Sequence, residues 1–194
     1  MKNRTLFFLI LLSPILAFAQ LYPKGLKVND KAPDFIGKDQ YGKLISLSAE
    51  LKKGPLVIVF YRGQWCPYCN RQLKKLEDSL TYIKNKGADL VAITPEKLEN
   101  ISKTIKKTKA TYSVVFDDGL KIMKSYDVSF SVDSSMIERY KKFGIDFKEA
   151  NGVNGANLPV PALFIIDQKG NIIFRHFDPD YKNRVSVKEI LSYL

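Results

Sequence analysis

The sequence has few of the residues that build metal centres or disulfide scaffolds. Its 194 residues include two cysteines, one histidine and one tryptophan. Two cysteines cannot form the several bridges of a disulfide-dense small domain. They also cannot supply four thiolates to a zinc ion, and His176 alone leaves too few ligands for a mixed Cys/His site. We therefore expect no metal cofactor, and any histidine chemistry would depend on His176.

Long hydrophobic runs are also missing, since no stretch reaches the roughly 18–20 apolar residues of a membrane-spanning helix. The first twenty residues are nevertheless distinct. Lys2 and Arg4 precede a short apolar stretch, and the Ala-Phe-Ala at 17–19 is a small-x-small cleavage pattern. This pattern predicts a secretory signal peptide over 1–19, with an uncleaved N-terminal anchor as the alternative. We expect an exported protein, periplasmic or extracellular, with no stable membrane span after cleavage.

Positive charge exceeds negative charge, because 31 Lys and Arg stand against 20 Asp and Glu, a formal net charge of +11. The positive residues are mostly lysines spread along the chain, and no aromatic residues interleave with a basic stripe. This distribution is typical of a solvated surface. We therefore expect no nucleic-acid partner.

Strand and helix patterns alternate along the chain and predict an α/β sandwich with a mixed sheet, in a single domain over 20–194. The apolar run 56–61 is typical of a central strand covered on both faces. A hairpin is expected over 34–47, and an insertion over 127–157 that ends in a loop at 147–157. Further strands are expected at 90–94, 113–116, 162–167 and 172–176, and helices at 67–86, 96–107, 120–126, 135–143 and 185–194.

Both cysteines fall in one motif, Cys66-Pro67-Tyr68-Cys69, where the central strand meets the first long helix. A thiolate at a helix N-terminus faces unpaired N–H groups and the positive end of the helix dipole, which lower its pKa. Cys66 is therefore the predicted nucleophile. Cys69, one turn further on the same face, is placed to attack a mixed disulfide on Cys66. Pro67 fits the first helical turn, where its missing N–H is not needed.

Two other interpretations of this motif are a permanently closed structural bridge and half of a metal site. A bridge across two intervening residues closes a very small loop and gives little entropic stabilisation. A metal site lacks further ligands. The motif therefore favours redox chemistry, with a redox-active Cys66–Cys69 disulfide in place of a cofactor. Dithiothreitol discriminates the cases, because a structural bridge resists reduction in the native state.

A second candidate element, Leu-Pro-Val-Pro at 158–161, leads into the last buried strand. Proline cannot donate to a sheet ladder, so Pro161 is expected at the start of that strand. A cis Val160–Pro161 bond would make a tight bend and leave backbone groups of Val160 free for an extended substrate. The alternative is an ordinary trans proline that enters a strand.

With these motifs the chain resembles the AhpC/TSA family, in its peroxiredoxin-like branch. The resemblance covers about residues 27–178 and implies a thioredoxin fold. It also implies that Pro161 is a cis-proline packed opposite Cys66 and Cys69. The matching stretches are VNDKAPDF at 28–35, YGK at 41–43, FYRGQWCPYC at 60–69 and LPVPALFIID at 158–167.

Three positions depart from the pattern of peroxiredoxins. Gly63 stands where they carry Thr or Ser before the reactive cysteine, Val59 stands in place of a proline, and Pro161 in place of an arginine. In that family these residues activate and orient a peroxide by hydrogen bonds and charge. Their replacement weakens the expectation of fast peroxidase activity, although Arg62, four residues before Cys66, is a candidate substitute. The motif instead resembles exported thioredoxin-like oxidoreductases.

Several neighbours of the motif are weaker candidates. Trp65 is expected beside the Cys66 thiol, and Tyr68 is expected to be exposed between the cysteines. Glu96 follows a strand end and could reach the site, but it is interpreted as a helix-start carboxylate. Arg139 and Tyr140 could border the cleft, but they are interpreted as part of a solvated helix face. The residues expected to contact substrate are Arg62, Trp65, Pro67, Tyr68, Val160 and Pro161.

Three functions follow from these patterns. In the first, an exported thiol–disulfide oxidoreductase, Cys66 attacks a substrate disulfide, Cys69 resolves the mixed disulfide, and residues 160–161 hold the partner's backbone. In the second, a thiol peroxidase, a peroxide oxidises Cys66 to sulfenic acid and Cys69 condenses with it. The third is a non-catalytic domain with a structural bridge. Expected partners are protein or small-molecule disulfides, peroxides in the second case, and an unidentified thiol electron donor or acceptor.

Overall fold

A seven-stranded mixed sheet runs through the structure, a computed structural model that describes residues 22–194. The nine strands in chain order are β1 (Ile36–Asp39), β2 (Leu44–Ser46), β3 (Leu56–Phe60), β4 (Asp89–Thr94), β5 (Ser113–Phe116), β6 (Ser129–Ser131), β7 (Asn157–Pro159), β8 (Ala162–Ile166) and β9 (Ile172–Phe177). Their order across the large sheet is β2-β1-β5-β4-β3-β8-β9. Central β3 pairs parallel with β4 and antiparallel with β8, which confirms the predicted mixed α/β sandwich. The signal peptide predicted over 1–19 lies outside the described residues.

The central strand β3 is buried on both faces because every residue of Leu-Val-Ile-Val-Phe is apolar. Successive side chains of a strand point to opposite faces. Val57 and Val59 therefore pack into one core, and Ile58 and Phe60 pack into the other. The first of these cores also contains Cys66 and Cys69, so the motif packs directly against the central strand.

Helices cover the two faces of the sheet. They are α1 (Leu47–Leu51), α2 (Pro67–Asp78), α3 (Leu80–Asn85), α4 (Leu98–Thr108), α5 (Lys121–Ser125), α6 (Ser134–Lys142), α7 (Phe147–Asn151) and α8 (Val187–Ser192). The predicted continuous helix over 67–86 is wrong, because Ser79 has φ −111° and ψ 5° and divides it into α2 and α3. Leu80 and Ile83, which follow the break, are buried in the core. Within residues 22–194, no helix is both long and apolar enough to cross a membrane.

The stretch expected to be an insertion, 127–157, carries β6, α6 and α7 and is closed by β7, which pairs antiparallel with β6. The loop expected at 147–157 is partly wrong, since α7 forms there. Asp146 caps α7 by accepting hydrogen bonds from the backbone N–H groups of Lys148 and Glu149. This Asp-x-x-Glu signal is typical of a helix start.

The expected cis bond at Pro161 is also wrong, because no peptide bond among residues 22–194 is cis. The chain reaches Pro161 already extended: Pro159 pairs with Ser129, and the Val160 N–H donates to the Val128 carbonyl at 2.8 Å. No tight bend is needed there, and trans is the lower-energy state by about 0.5–1 kcal/mol. Pro161 does immediately precede the first residue of β8, as its missing N–H predicts.

Candidate active site

The Cys66 sulfur lies at the N-terminus of α2, where Cys66 is the N-cap residue. Its φ of −87° and ψ of 109° are extended, and Pro67 follows in the first helical turn. The backbone N–H of Cys69 donates to the Cys66 sulfur at 3.3 Å. The sulfur thus takes the place of the side-chain oxygen that usually caps a helix, and it lies at the positive end of the helix dipole.

Arg62 is buried and its guanidinium contacts the Cys66 sulfur. Its Nη2 donates to Cys66 Sγ at 3.4 Å, and its Nη1 donates to the Tyr140 hydroxyl at 3.1 Å. The guanidinium carbon lies 3.8 Å from the ring centre of Tyr181, close enough for a cation–π contact. Only 6% of Arg62 is exposed, so its charge acts on the sulfur with little screening by solvent.

The two cysteines are free thiols in this structure, and their acidities are shifted in opposite directions. A hydrogen bond from the Cys69 thiol, together with the Arg62 charge, lowers the pKa of Cys66 to about 5 against the opposing effect of burial. Burial raises the pKa of Cys69 well above its usual range, and the neighbouring Cys66 sulfur adds to this. At neutral pH the pair therefore holds a thiolate on Cys66 and a proton on Cys69.

A second arginine, Arg184, contacts the other cysteine. Its Nη2 donates to Cys69 Sγ at 3.7 Å from the segment that joins β9 to α8. Tyr181, on the same segment, packs edge-on against Tyr68 with ring centres 5.6 Å apart. Tyr68 is therefore half-buried rather than exposed as expected. Sequence reasoning missed Arg184 because 115 residues separate it from Cys69 and it belongs to no local motif.

Trp65 packs beside the Cys66 motif, against two aromatic rings of the segment 127–157. Its ring lies edge-on to Tyr140 at 5.3 Å and to Phe147 at 5.9 Å. Tyr140 was expected on a solvated helix face, and this expectation is wrong because its ring packs on Trp65 and its hydroxyl accepts from Arg62. α6 and α7 each contain a single aromatic residue, so no local pattern in the sequence indicated this contact.

A cavity of about 620 Å³ opens beside Arg62. Val160 and Pro161 form part of its wall, together with the rings of Tyr140 and Tyr181. Of the six residues expected to contact substrate, Arg62, Val160 and Pro161 line this cavity. The other three do not line it. Trp65 packs against Tyr140 and Phe147, Tyr68 packs against the segment before α8, and Pro67 is exposed at the helix start.

Glu96 lies beneath the loop that precedes Cys66 and has no exposed surface. Its Oε2 accepts from the Gln64 N–H at 2.8 Å, and burial raises the pKa of Glu96 to about 8. The helix-start interpretation is wrong, since α4 begins at Leu98 with Lys97 as its N-cap. Glu96 instead supports the turn that carries the reactive sulfur.

Comparison with known proteins shows the family of this chain. A family model described as "AhpC/TSA family" matches residues 28–175. The chain belongs to the AhpC/TSA family. The match includes the Cys66 motif, Pro161 and the strands that carry them, but it ends before Tyr181 and Arg184.

The curated proteins that the chain resembles include peroxiredoxins and a thiol-disulfide oxidoreductase. Chloroplastic peroxiredoxin Q from Sedum lineare is 34% identical over 96 residues, which is 50% of this chain and 51% of that protein. The chain thus spans about half the length of the peroxiredoxin Q relatives it matches. Thiol-disulfide oxidoreductase ResA from Bacillus cereus is 25% identical over 182 residues, 89% of this chain and 87% of ResA.

A solved structure, peroxidoxin BcpB from Mycobacterium tuberculosis, superimposes with a TM-score of 0.66 at 18% identity. The similarity covers 87% of this chain and 96% of that one. At this identity the likeness concerns the fold, and it confirms the thioredoxin-like architecture expected from the sequence.

The structure gives a physical reason for one departure from the family pattern. A Cβ atom placed on Gly63 would lie 2.5 Å from Trp65 Nε1 and 2.7 Å from Glu96 Oε1. The space that a Thr or Ser side chain needs at this position is therefore occupied.

Within residues 22–194, no cluster of three or more His, Cys, Asp or Glu side chains is arranged to hold a metal ion.

Proposed function

We propose that this AhpC/TSA-family protein is an exported thiol–disulfide oxidoreductase that uses Cys66 and Cys69. The observation that carries the proposal is the asymmetry of the pair. The Cys66 sulfur receives hydrogen bonds from Arg62 and from the Cys69 backbone, whereas Cys69 is fully buried and keeps its proton. An attacking thiolate beside a shielded resolving thiol is what a two-step exchange requires.

In the first step the Cys66 thiolate attacks one sulfur of a substrate disulfide. A Cys66–substrate bond forms, the substrate disulfide breaks, and one substrate thiolate leaves. In the second step Cys69 attacks Cys66 Sγ, which closes the Cys66–Cys69 disulfide and releases the second substrate thiol. Two electrons pass from the protein to the substrate, and the reverse sequence oxidises a dithiol.

The cavity beside Arg62 supports a disulfide-bearing ligand with an apolar flank. Its walls include the aromatic rings of Tyr140 and Tyr181 and the apolar Val160 and Pro161. Cys66 itself has no exposed surface. The cavity beside Arg62, which contacts the Cys66 sulfur, is the proposed route for a substrate sulfur. Protein or small-molecule disulfides are the proposed substrates, and a separate thiol or disulfide protein is the proposed electron partner.

Export is proposed from the signal-peptide pattern over 1–19. The similarity to ResA over 89% of this chain supports the exchange chemistry. In an oxidising compartment a buried Cys66–Cys69 couple would alternate between dithiol and disulfide as its partners dictate.

A thiol peroxidase is the second candidate, because one observation favours it. Arg62 points at the Cys66 sulfur, as a residue that stabilises the charge of a reacting peroxide must do. One observation counts against a peroxidase. The space beside Gly63 is occupied by Trp65 and Glu96, and Gly63 offers no hydroxyl group to a bound peroxide.

Trp65 is the single tryptophan and lies next to Cys66, so its fluorescence should report the state of that thiol. We would mix the reduced protein in stopped flow with oxidised glutathione and, separately, with hydrogen peroxide, using Cys66→Ser as the control. A rapid signal with the disulfide and a slow one with peroxide, both lost in Cys66→Ser, is the expected result. A rapid signal with peroxide alone would establish the peroxidase. A bridge that resists dithiothreitol in the native protein, so that no reduced form can be prepared, would establish a non-catalytic domain.

A further inference from the structure

The segment between β9 and α8 directs a cation at the buried cysteine. Arg184 Nη2 donates to Cys69 Sγ at 3.7 Å, and Nη1 donates to the Asn183 carbonyl at 3.2 Å. The Nε of Arg184 is buried and has no hydrogen-bond partner among residues 22–194. The next residue, Val185, is anchored in the same core as Cys69. The guanidinium is thus held against the sulfur by its own backbone.

Cys69 needs such a cation in only one of the two steps. While Cys66 carries a thiolate, the Cys69 proton is held by its hydrogen bond to that sulfur. Once Cys66 is part of a mixed disulfide, its sulfur is neutral and Cys69 must give up its proton to attack. Cys69 has no exposed surface, so water cannot stabilise the thiolate that forms.

The charged and titratable groups around this sulfur are few. Cys66 and Arg62 face Cys69 from the start of α2 and the end of β3, and Arg184 faces it from the opposite segment. The carboxylate of Asp178 and the ring of His176 lie near Arg184, and Asp178 also accepts a hydrogen bond from Asn183. Asp178 offsets part of the Arg184 charge but is itself partly exposed to solvent.

We propose that Arg184 is a second catalytic arginine, which stabilises the Cys69 thiolate during resolution as Arg62 stabilises the Cys66 thiolate during attack. The proposal rests on the thiol–disulfide exchange proposed above. In the step concerned, Cys69 loses its thiol proton and its sulfur attacks Cys66 Sγ. The Cys66–substrate disulfide breaks and the Cys66–Cys69 bond forms. The proton passes to the departing substrate thiolate, or to solvent where the leaving group is a weak base such as a nitrothiophenolate.

The test separates the two steps with 5,5′-dithiobis(2-nitrobenzoate), which releases one coloured thiolate on attack by Cys66 and a second on resolution by Cys69. Wild type is expected to show both phases. Arg184→Met is expected to keep the first phase and to slow the second about ten-fold or more at neutral pH. An adjacent opposite charge typically shifts a pKa by about one unit or more, and each unit changes the thiolate fraction ten-fold. The pH midpoint of the second phase should rise accordingly.

Two further variants make the result specific. Lys182→Met removes an exposed cation from the same segment and should leave both phases unchanged. Arg184→Lys keeps a positive charge and should restore most of the second phase. Equal slowing of both phases in Arg184→Met, equal defects in the Met and Lys variants, or an unchanged pH profile would each overturn the role of Arg184. A wild type that releases one thiolate or none would instead overturn the proposed exchange function.

Discussion

At the scale of single residues, the charge on Cys66 is produced by neighbours that come from different parts of the chain. Pro67 and Cys69 provide the helix start, which the motif alone predicts. Arg62 provides a buried positive charge, and the sequence places it near Cys66 without giving its direction. The structure supplies that direction, since Tyr181 and Tyr140 hold the guanidinium over the sulfur.

Removing the Arg62 charge should make Cys66 less acidic. We expect the rate of Cys66 alkylation by iodoacetamide to rise with a pH midpoint near the pKa of about 5 in wild type. In Arg62→Met the midpoint should rise by about one unit or more, because an opposite charge within contact distance has been lost. Mass spectrometry would locate the label, and Arg139→Met, on the exposed face of α6, is the control. An unchanged midpoint in Arg62→Met would contradict the assigned role of this residue.

Glu96 should make stability depend on pH. Its pKa rises from 4.5 to about 8 on folding, so between these pH values the unfolded chain has released a proton that the folded chain keeps. This contribution to stability is complete below about pH 4.5 and is lost as pH rises through 8, by up to about 1.4 kcal/mol per pH unit. Glu96→Gln should therefore gain stability relative to wild type between pH 5 and 8 in urea titrations.

The matched control for this measurement is Glu138→Gln, which changes an exposed carboxylate on α6. It should keep a constant difference from wild type across the same pH range. A constant difference in Glu96→Gln as well would show that the Glu96 carboxyl is ionised in the folded protein.

At the scale of elements, the pattern of apolar residues predicted the regular strands and helices, but it did not predict features that depend on local packing or on one capping side chain. The run Leu56–Phe60 is a strand because every residue is apolar and its flanks are punctuated by glycine and proline. The break at Ser79 and the short helix after Asp146 were missed, because one depends on how α3 meets the sheet and the other on a single capping side chain. The capping signal was readable in the sequence, and the break was not.

A buried amide, that of Asn154, joins the segment 127–157 to the loops that follow two strands of the sheet. Asn154 Nδ2 donates to the carbonyls of Pro95 and Asp117 at 2.8 and 2.9 Å, and its Oδ1 accepts from the Gly119 N–H at 3.0 Å. These contacts join the segment to the carboxyl ends of β4 and β5. The amide is therefore one of the contacts that hold the segment carrying α6 and Tyr140 against the sheet.

Removing that amide should destabilise the protein. Asn154→Ala leaves buried backbone groups unpaired, and each such group costs about 1–3 kcal/mol. We expect the free energy of unfolding to fall by about 2–4 kcal/mol in chemical denaturation. Asn85→Ala, at an exposed helix end, should change it by less than about 0.5 kcal/mol. A loss in Asn154→Ala as small as that of the control would show that the segment does not depend on this anchor.

At the scale of the whole molecule, the candidate site is assembled from four distant parts of the chain. Four parts meet at one end of β3: the stretch 62–69, which contains the Cys66 motif, Tyr140, residues 160–161, and the segment 181–184. The first and third are visible in the sequence because they carry local signals, a helix start and a strand entry. The contact of Tyr140 with Arg62 was not predicted and the last segment was not found, because long-range packing positions both and they carry no pattern of their own.

The central claim is that Cys66 attacks a disulfide and Cys69 resolves the product, and trapping the intermediate tests it most directly. Reduced Cys69→Ser, incubated with oxidised glutathione, should accumulate one glutathionyl adduct on Cys66 by intact mass and peptide mapping. Wild type should pass to the Cys66–Cys69 disulfide without a lasting adduct, and Cys66→Ser should gain none. An adduct that forms on Cys69 in Cys66→Ser, or no adduct in Cys69→Ser, would contradict the account.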